Sequence, residues 1–458
     1  MKRSDPAARG DRVLRGDICY ARTPTELTTL RDGYVVCVDG RSEGVFRELP
    51  EKYQPLPVHD YTGMLVIPGL VDLHIHAPQY AFRGMGMDME LMEWLQKQTF
   101  PEETKYGDLD YARRAYSQFV QDMRQSATTH ACIFATRHRE ATELLMELME
   151  QSGLVSCVGK VNMDRDAPEG LREESAQVSE RETVAWLDRV RGKFRHTKPI
   201  LTPRFVPCCT EELLEKLGEL QREQGLPVQS HLSENPGEVE LVRRLCPESP
   251  FYGDVYDRYG LFGKDHHSRR YGDPYDRHGL FGVDHWPVPT IMAHCVYSGE
   301  EEMERIRENG VFVAHCPASN TNLASGIAPV RKYLRRGLRV GLGSDVAGGH
   351  TASILRAACD AVQVSKLYWR LVDENDPPLT FREAFYLASA GGGAFFGKVG
   401  SFAPGYEFSA VVLDDRGLRR PFELTVEQRL EQAAYSGLDL YGVRAKFVAE
   451  ERLFETTA

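Results

Sequence analysis

The chain has 458 residues, 42% of them hydrophobic, and a formal net charge of −11. That is apolar material for a large core, and it lacks the clustered Lys and Arg that nucleic-acid binding needs, so no nucleic-acid partner is expected. No stretch approaches the ~20 apolar residues of a membrane span and no apolar signal region follows Met1-Lys2-Arg3, so a cytoplasmic protein with no membrane partner is expected, its ten scattered cysteines reduced.

In chain order, residues 1–66 read as strands and turns, with Val13–Tyr20 and Val35–Gly40 the clearest. Ser409–Asp414 and Ala445–Ala449 read the same way, and the two ends, 1–66 and 401–458, are expected to pair in one small β-domain. Between 67 and 400 the pattern changes to alternating strand and helix. Strands are expected at Val71–His76, Ala131–Ala135, Val155–Val161, Pro199–Phe205, Val228–His231, Thr290–His294, Val311–His315 and Arg339–Asp345. Eight strands alternating with helices predict an α/β fold of the (β/α)8 barrel type.

One feature interrupts the alternation. Tyr252–Gly263 recurs as Tyr271–Gly282, a period of 19 residues. Two copies are too few for a solenoid. The segment 252–286 is therefore expected to be a duplicated surface insertion on the face opposite the active rim, rather than a site built from His266, His267, His278 and His285.

The polar residues with chemical potential fall at strand ends. His74 and His76 alternate on a strand and so share a face, where two neutral imidazoles can hold one divalent ion. His231 and Asp345 end later strands and complete an N, N, N, O donor set, with His294 a fifth candidate. The rim at the C-terminal ends of the strands is where barrels build sites. A bridging lysine at the end of strand four would mark a two-metal site, but that strand ends in Arg204-Phe205, and Lys160 lies on strand three; one ion per chain is expected. His138-Arg139-Glu140 matches half of another zinc motif, but Pro207-Cys208-Cys209 fails the second half. Glu234, three residues past His231, is placed to move protons without binding the ion. Asp345 is suited to act both as ligand and as acceptor of a proton from water whose pKa the ion lowers to about 7. Arg204 reads either as a base-binding fork or as one half of an ion pair, Trp94 as core more than lid, and His315, Ser319 and Asn320 as groups that fix neighbouring loops.

The motifs Pro68–Tyr80 (PGLVDLHIHAPQY), Thr202–Phe205 (TPRF), Ser230–Glu234 (SHLSE), Met292–Cys295 (MAHC), His315–Asn320 (HCPASN) and Gly341–Gly349 (GLGSDVAGG) together resemble the guanine deaminase family of the metal-dependent amidohydrolase superfamily. The resemblance runs from about 65 to 400. It implies an irregular barrel (67–400), a β-sandwich made from both termini, and a homodimer. It implies one Zn2+ held by His74, His76, His231 and Asp345. Substrate contacts are implied for Gln79, Arg204, Phe205 and Glu234, beside the ligands His76, His231 and Asp345. The implied reaction is guanine plus water to xanthine plus ammonia, with Glu234, Asp345 and His294 catalytic. Arg204 facing the adjacent O6 and N7 acceptors of guanine fits that reading. The alternative is another mononuclear enzyme of the superfamily, acting on a cytosine, triazine or adenosine-type substrate. The duplicated segment, and Ser409 in place of an Asp, depart from the family pattern.

Overall fold

The computed structural model describes residues 10–263 and 289–456. Its strands are β1 (Arg12–Ala21), β2 (Leu27–Val38), β3 (Arg41–Phe46), β4 (Val58–Pro68), β5 (Leu70–His76), β6 (Thr128–Phe134), β7 (Val155–Gly159), β8 (Val161–Asn162), β9 (Thr197–Pro199), β10 (Thr202–Pro203), β11 (Val228–Leu232), β12 (Thr290–His294), β13 (Phe312–His315), β14 (Arg339–Leu342), β15 (Ser409–Leu413), β16 (Val443–Val448) and β17 (Glu451–Glu455).

The two ends of the chain do pair. Their strands form one seven-stranded sheet in the order β17-β16-β15-β4-β1-β2-β3. The hinge of this arrangement is β4, which runs parallel to β1 on one edge and antiparallel to β15 on the other. Because both edges of β4 are used, the terminal strands join into one continuous sheet.

The middle of the chain is α/β with parallel strands. One sheet has the order β5-β6-β7-β9 and another β11-β12-β13-β14, with β8 and β10 as a short parallel pair. Backbone bonds cross between the sheets on both sides. The Asp345 N–H donates to the His74 carbonyl at 2.8 Å and the His76 N–H to Val346 at 3.1 Å; on the other side Gln229 N–H donates to Leu201 at 2.9 Å. Every residue of β5 is buried, as a strand covered on both faces must be. The expected third and fourth strands are each broken in two. Where they meet, a Cβ at Gly159 would lie 1.7 Å from Thr202 Oγ1, so only a glycine leaves room there for the Thr202 side chain.

Lys160, at that break, is fully buried and pairs with Glu173 at 2.6 Å, while the other Glu173 oxygen accepts the Met163 N–H at 3.1 Å. Removing one partner of such a pair strands a charge in the core, at a cost of about 3–5 kcal/mol. Glu173→Ala is therefore expected to lower the unfolding free energy by that amount, seen as a lower urea midpoint at unchanged slope, and an unmoved midpoint would refute the pairing.

The duplicated segment needs a correction. Its first copy is not a surface insertion. Tyr252–Arg258 is a helix, and Tyr252, Val255, Tyr256, Leu261 and Phe262 are all buried. The period-19 pattern shows a repeat but carries no information on depth; the apolar Tyr, Val, Leu and Phe positions of the copy face inward beneath β11. The second copy and His266, His267, His278 and His285 lie outside the described residues.

Candidate active site

Strand period brings His74 and His76 to the same side of β5, and their rings converge further than the backbone spacing requires. Their Nε2 atoms are 3.2 Å apart, and His76 Nε2 is 3.2 Å from His231 Nε2 at the end of β11. Asp345, just past β14, puts Oδ1 3.2 Å from His74 Nε2 and 3.3 Å from His76 Nε2. A tetrahedral zinc with bonds of about 2.05 Å spaces its donors about 3.3 Å apart. Four of the distances among these atoms thus match the edge of one coordination tetrahedron, and the donor set fits a single divalent ion.

The protonation of these groups agrees with that fit. Burial holds the imidazoles of His74, His76 and His231 below their ordinary pKa, His76 down to about 4, so all three are neutral donors. Burial alone would raise the Asp345 pKa, but His74 and its other imidazole neighbours hold it well below the carboxylate range. His231 has Nδ1 2.6 Å from the Arg204 carbonyl; a proton on Nδ1 there leaves Nε2 free to ligate. Cys316, which sequence reasoning did not single out, also comes near His74, His294 and Asp345. Burial pushes its thiol well above its usual pKa, and a protonated thiol is a poor ligand.

The local backbone is unusual at the same places. Ser233, His294 and Asp345 all have positive φ, at 49°, 72° and 46°. Non-glycine residues occupy this region at a cost of about 1–3 kcal/mol, and such strain collects at functional sites.

Glu234 faces the donors across the cavity. Its Oε1 accepts the Ser325 hydroxyl at 3.1 Å, and its Oε2 lies 3.4 Å from His294 Nε2. Burial, and then the charge of Asp345, push its pKa up to about 8. His294 is held from behind by Asn320, Nδ1 to Oδ1 at 2.9 Å, and its Nε2 is also 3.8 Å from Asp345 Oδ2. Glu234 precedes a helix, Pro236–Leu245, that is closed by a capping box of Asn235 and Glu238.

His76, Gln79, Trp94, Arg204, Phe205, His231, Glu234, His294 and Asp345 line one cavity of about 390 Å3, mouth included. Trp94 is both core and wall, buried yet facing the cavity. Asp72, inside β5, accepts the Ser344 hydroxyl at 2.5 Å and so ties the first and last strands beneath the donors. His315 is fully buried, with neither ring nitrogen hydrogen-bonded, and stays outside the cavity lining.

Arg204 does not offer its whole fork to the cavity. Glu103, unforeseen from sequence, takes Nη1 at 2.6 Å and Nη2 at 3.1 Å. The same carboxylate accepts from Gln79 Nε2 at 2.9 Å, and the Ala347 N–H donates to Gln79 Oε1 at 3.2 Å. The ion-pair reading of Arg204 is thus realised, while the residue keeps its place on the cavity wall. No local signal could have exposed Glu103, which is 101 residues from Arg204.

Among the described residues no helix is long and apolar enough to cross a membrane. Residues 65–448 match the model of the amidohydrolase family. The chain is similar to the guanine deaminase of Dictyostelium discoideum, 38% identical over 390 residues, covering 83% of this chain and 81% of that one. The Homo sapiens guanine deaminase is 37% identical over 427 residues, 90% of this chain and 88% of its own. The solved structure of guanine deaminase from C. acetobutylicum with bound guanine superposes with a TM-score of 0.89 at 41% identity, over 97% of this chain and all of that one. The matched span runs from β4 to β16 and contains every donor described above, so the chain belongs to the amidohydrolase family.

Proposed function

We propose that the protein is a zinc-dependent guanine deaminase, converting guanine and water to xanthine and ammonia. The observation that carries this is that His76, His231 and Asp345, with His74 beside them, share one cavity with Glu234 and with Arg204 and Gln79, which Glu103 joins; the guanine deaminases that the chain resembles supply the substrate. When bound, zinc contributes Lewis acidity that brings the pKa of a water down to about 7.

The residues divide the rest of the work. Arg204 has five N–H donors, of which two go to Glu103, leaving three for the acceptors of the base. Gln79 fixes the ring edge and Phe205 packs on its face. Asp345, ionised, takes a proton from the water whose oxygen adds to C2. Glu234, protonated in neutral water, delivers its proton to a ring nitrogen and recovers one from the hydroxyl added at C2 as the bond from C2 to the exocyclic nitrogen breaks. Asp345 returns its proton to the departing amine, which leaves as ammonia. His294, braced by Asn320, faces both carboxylates and stabilises the charge that develops between them.

The same reading covers the finer architecture. The eight parallel strands close as a barrel over 67–400, supported by the backbone bonds at both junctions. Residues 1–66 and 401–458 form a sandwich by bending of their shared sheet, supported by the register shift at Gly16–Ile18 and by a core of Leu14, Ile18, Phe402, Phe408 and Phe447 drawn from both ends. A homodimer in the cytoplasm completes the proposal; exposed Leu367, Leu371 and Val372 offer apolar surface for a subunit contact.

The test is turnover of guanine followed by its ultraviolet spectrum, with xanthine and ammonia quantified and metal measured on the same sample. One zinc per chain and equimolar products are expected. Two tightly held ions both needed for turnover would sink the mononuclear site; turnover of cytosine, a triazine or an adenosine derivative in place of guanine would sink the substrate.

A further inference from the structure

We propose that Tyr252 and Tyr256, in the first copy of the duplicated segment, are positioning residues whose hydroxyls hold Glu234 and His231 in their working places. The inference rests on the functional reading above and assigns the repeat a task within it.

The two tyrosines are four apart on one helix and so share a face. Their rings stack at 6.1 Å and 12°, and both are buried, Tyr256 completely. Tyr252 Oη donates to Glu238 Oε1 at 2.5 Å. The other oxygen of Glu238 accepts the backbone N–H of Glu234 at 3.0 Å and of Asn235 at 3.3 Å. One buried carboxylate thus links the tyrosine to the backbone that aims Glu234. Tyr256 Oη donates to the His231 carbonyl at 3.1 Å and lies 2.8 Å from Ser230 Oγ. A third link runs through Glu302, which accepts the Gly253 N–H at 2.7 Å and the Ser233 hydroxyl at 3.0 Å. The segment therefore grips Ser230, His231, Ser233 and Glu234, the stretch that carries a donor, a positive φ and the proton-transfer carboxyl. Neither tyrosine lines the cavity, so their effect on the reaction passes through these bonds.

Tyr→Phe keeps the ring and removes only the hydroxyl. The second copy has Tyr271 and Tyr275 at the corresponding places, so the variants are made in a Tyr271→Phe/Tyr275→Phe chain, which by itself is expected to match wild type. On that background, Tyr252→Phe is expected to lower kcat by about tenfold or more, with KM within about twofold and zinc retained, because a misaimed proton-transfer group costs rate rather than affinity. Tyr256→Phe is expected to surrender zinc to a chelator about 10–100-fold faster, the usual effect of losing a group that orients a ligand. Ser233→Ala, which leaves the segment untouched, is expected to lower kcat several-fold with zinc retained. Wild-type kcat in Tyr252→Phe overturns the Glu234 half of the proposal and wild-type zinc release in Tyr256→Phe the His231 half, whether or not the melting temperature falls. Zinc release is measured without substrate, so it still decides the Tyr256 half if guanine turnover itself is not found.

Discussion

Glu234→Gln is expected to lower kcat by about four powers of ten while zinc stays at one per chain. A single general acid–base group contributes about 10²–10⁴ in rate, and in the proposed reaction this one both protonates the ring and recovers a proton. Its surroundings are built for a carboxyl that holds a proton. Burial and the neighbouring Asp345 charge push its pKa up to about 8, so the proton is present in neutral water and lost as pH rises through that value. Glutamine keeps the acceptor for the Ser325 hydroxyl and presents an amide to the cavity in place of the acid. Shape and hydrogen-bonding reach survive; the transferable proton does not. Guanine binding is expected to weaken only modestly, because Arg204, Gln79 and Phe205 are untouched. The deciding measurement is kcat beside zinc content on the purified variant. A zinc-replete protein with near-normal kcat would show Glu234 to be a bystander and move the proton transfer to Asp345 or His294.

His231→Ala is expected to lose metal and activity together, the opposite pattern. It removes one of four donors standing 3.2–3.3 Å from their neighbours, and with it the Nδ1 contact to the Arg204 carbonyl that orients the ring. Loss of a group that merely orients a ligand costs about 10–100-fold in metal affinity; loss of the ligand itself is expected to exceed the upper figure, leaving the dialysed protein largely zinc-free and inactive. Elemental analysis after dialysis, with circular dichroism to establish the fold, checks this. A folded variant that keeps a full zinc would remove His231 from the donor set. The two variants would also separate the two tasks proposed for the SHLSE stretch, since one is expected to keep the ion and lose the rate and the other to lose both.

Much of this was legible along the chain. His74 and His76 could be read as a facing pair because strand periodicity is local, and the later donors could be placed because each ends an apolar run that forms a strand. The existence and order of the eight parallel strands follow from the same alternation of short apolar runs with helical stretches. Contacts between distant residues are another matter. Glu103 carries no mark in its own neighbourhood that it will pair with Arg204 and Gln79; only the packing of its helix against the cavity brings them together and takes up part of the fork that the sequence alone leaves free for substrate. The close approach of the Thr202 side chain to Gly159, where a Cβ would find no room, is a contact that propensity does not encode. The duplicated segment makes the point most clearly. Its repetition is plain in the letters, but whether Tyr252 and Tyr256 face water or bond to other segments depends on where their helix docks, and it docks with Tyr252 bonded to Glu238 and Tyr256 to the His231 carbonyl. The chemistry of the donors was therefore set by residue type and local spacing, while their exact aim and the partners that brace them were set by tertiary packing, because hydrogen bonds between segments distant in sequence leave no periodic trace.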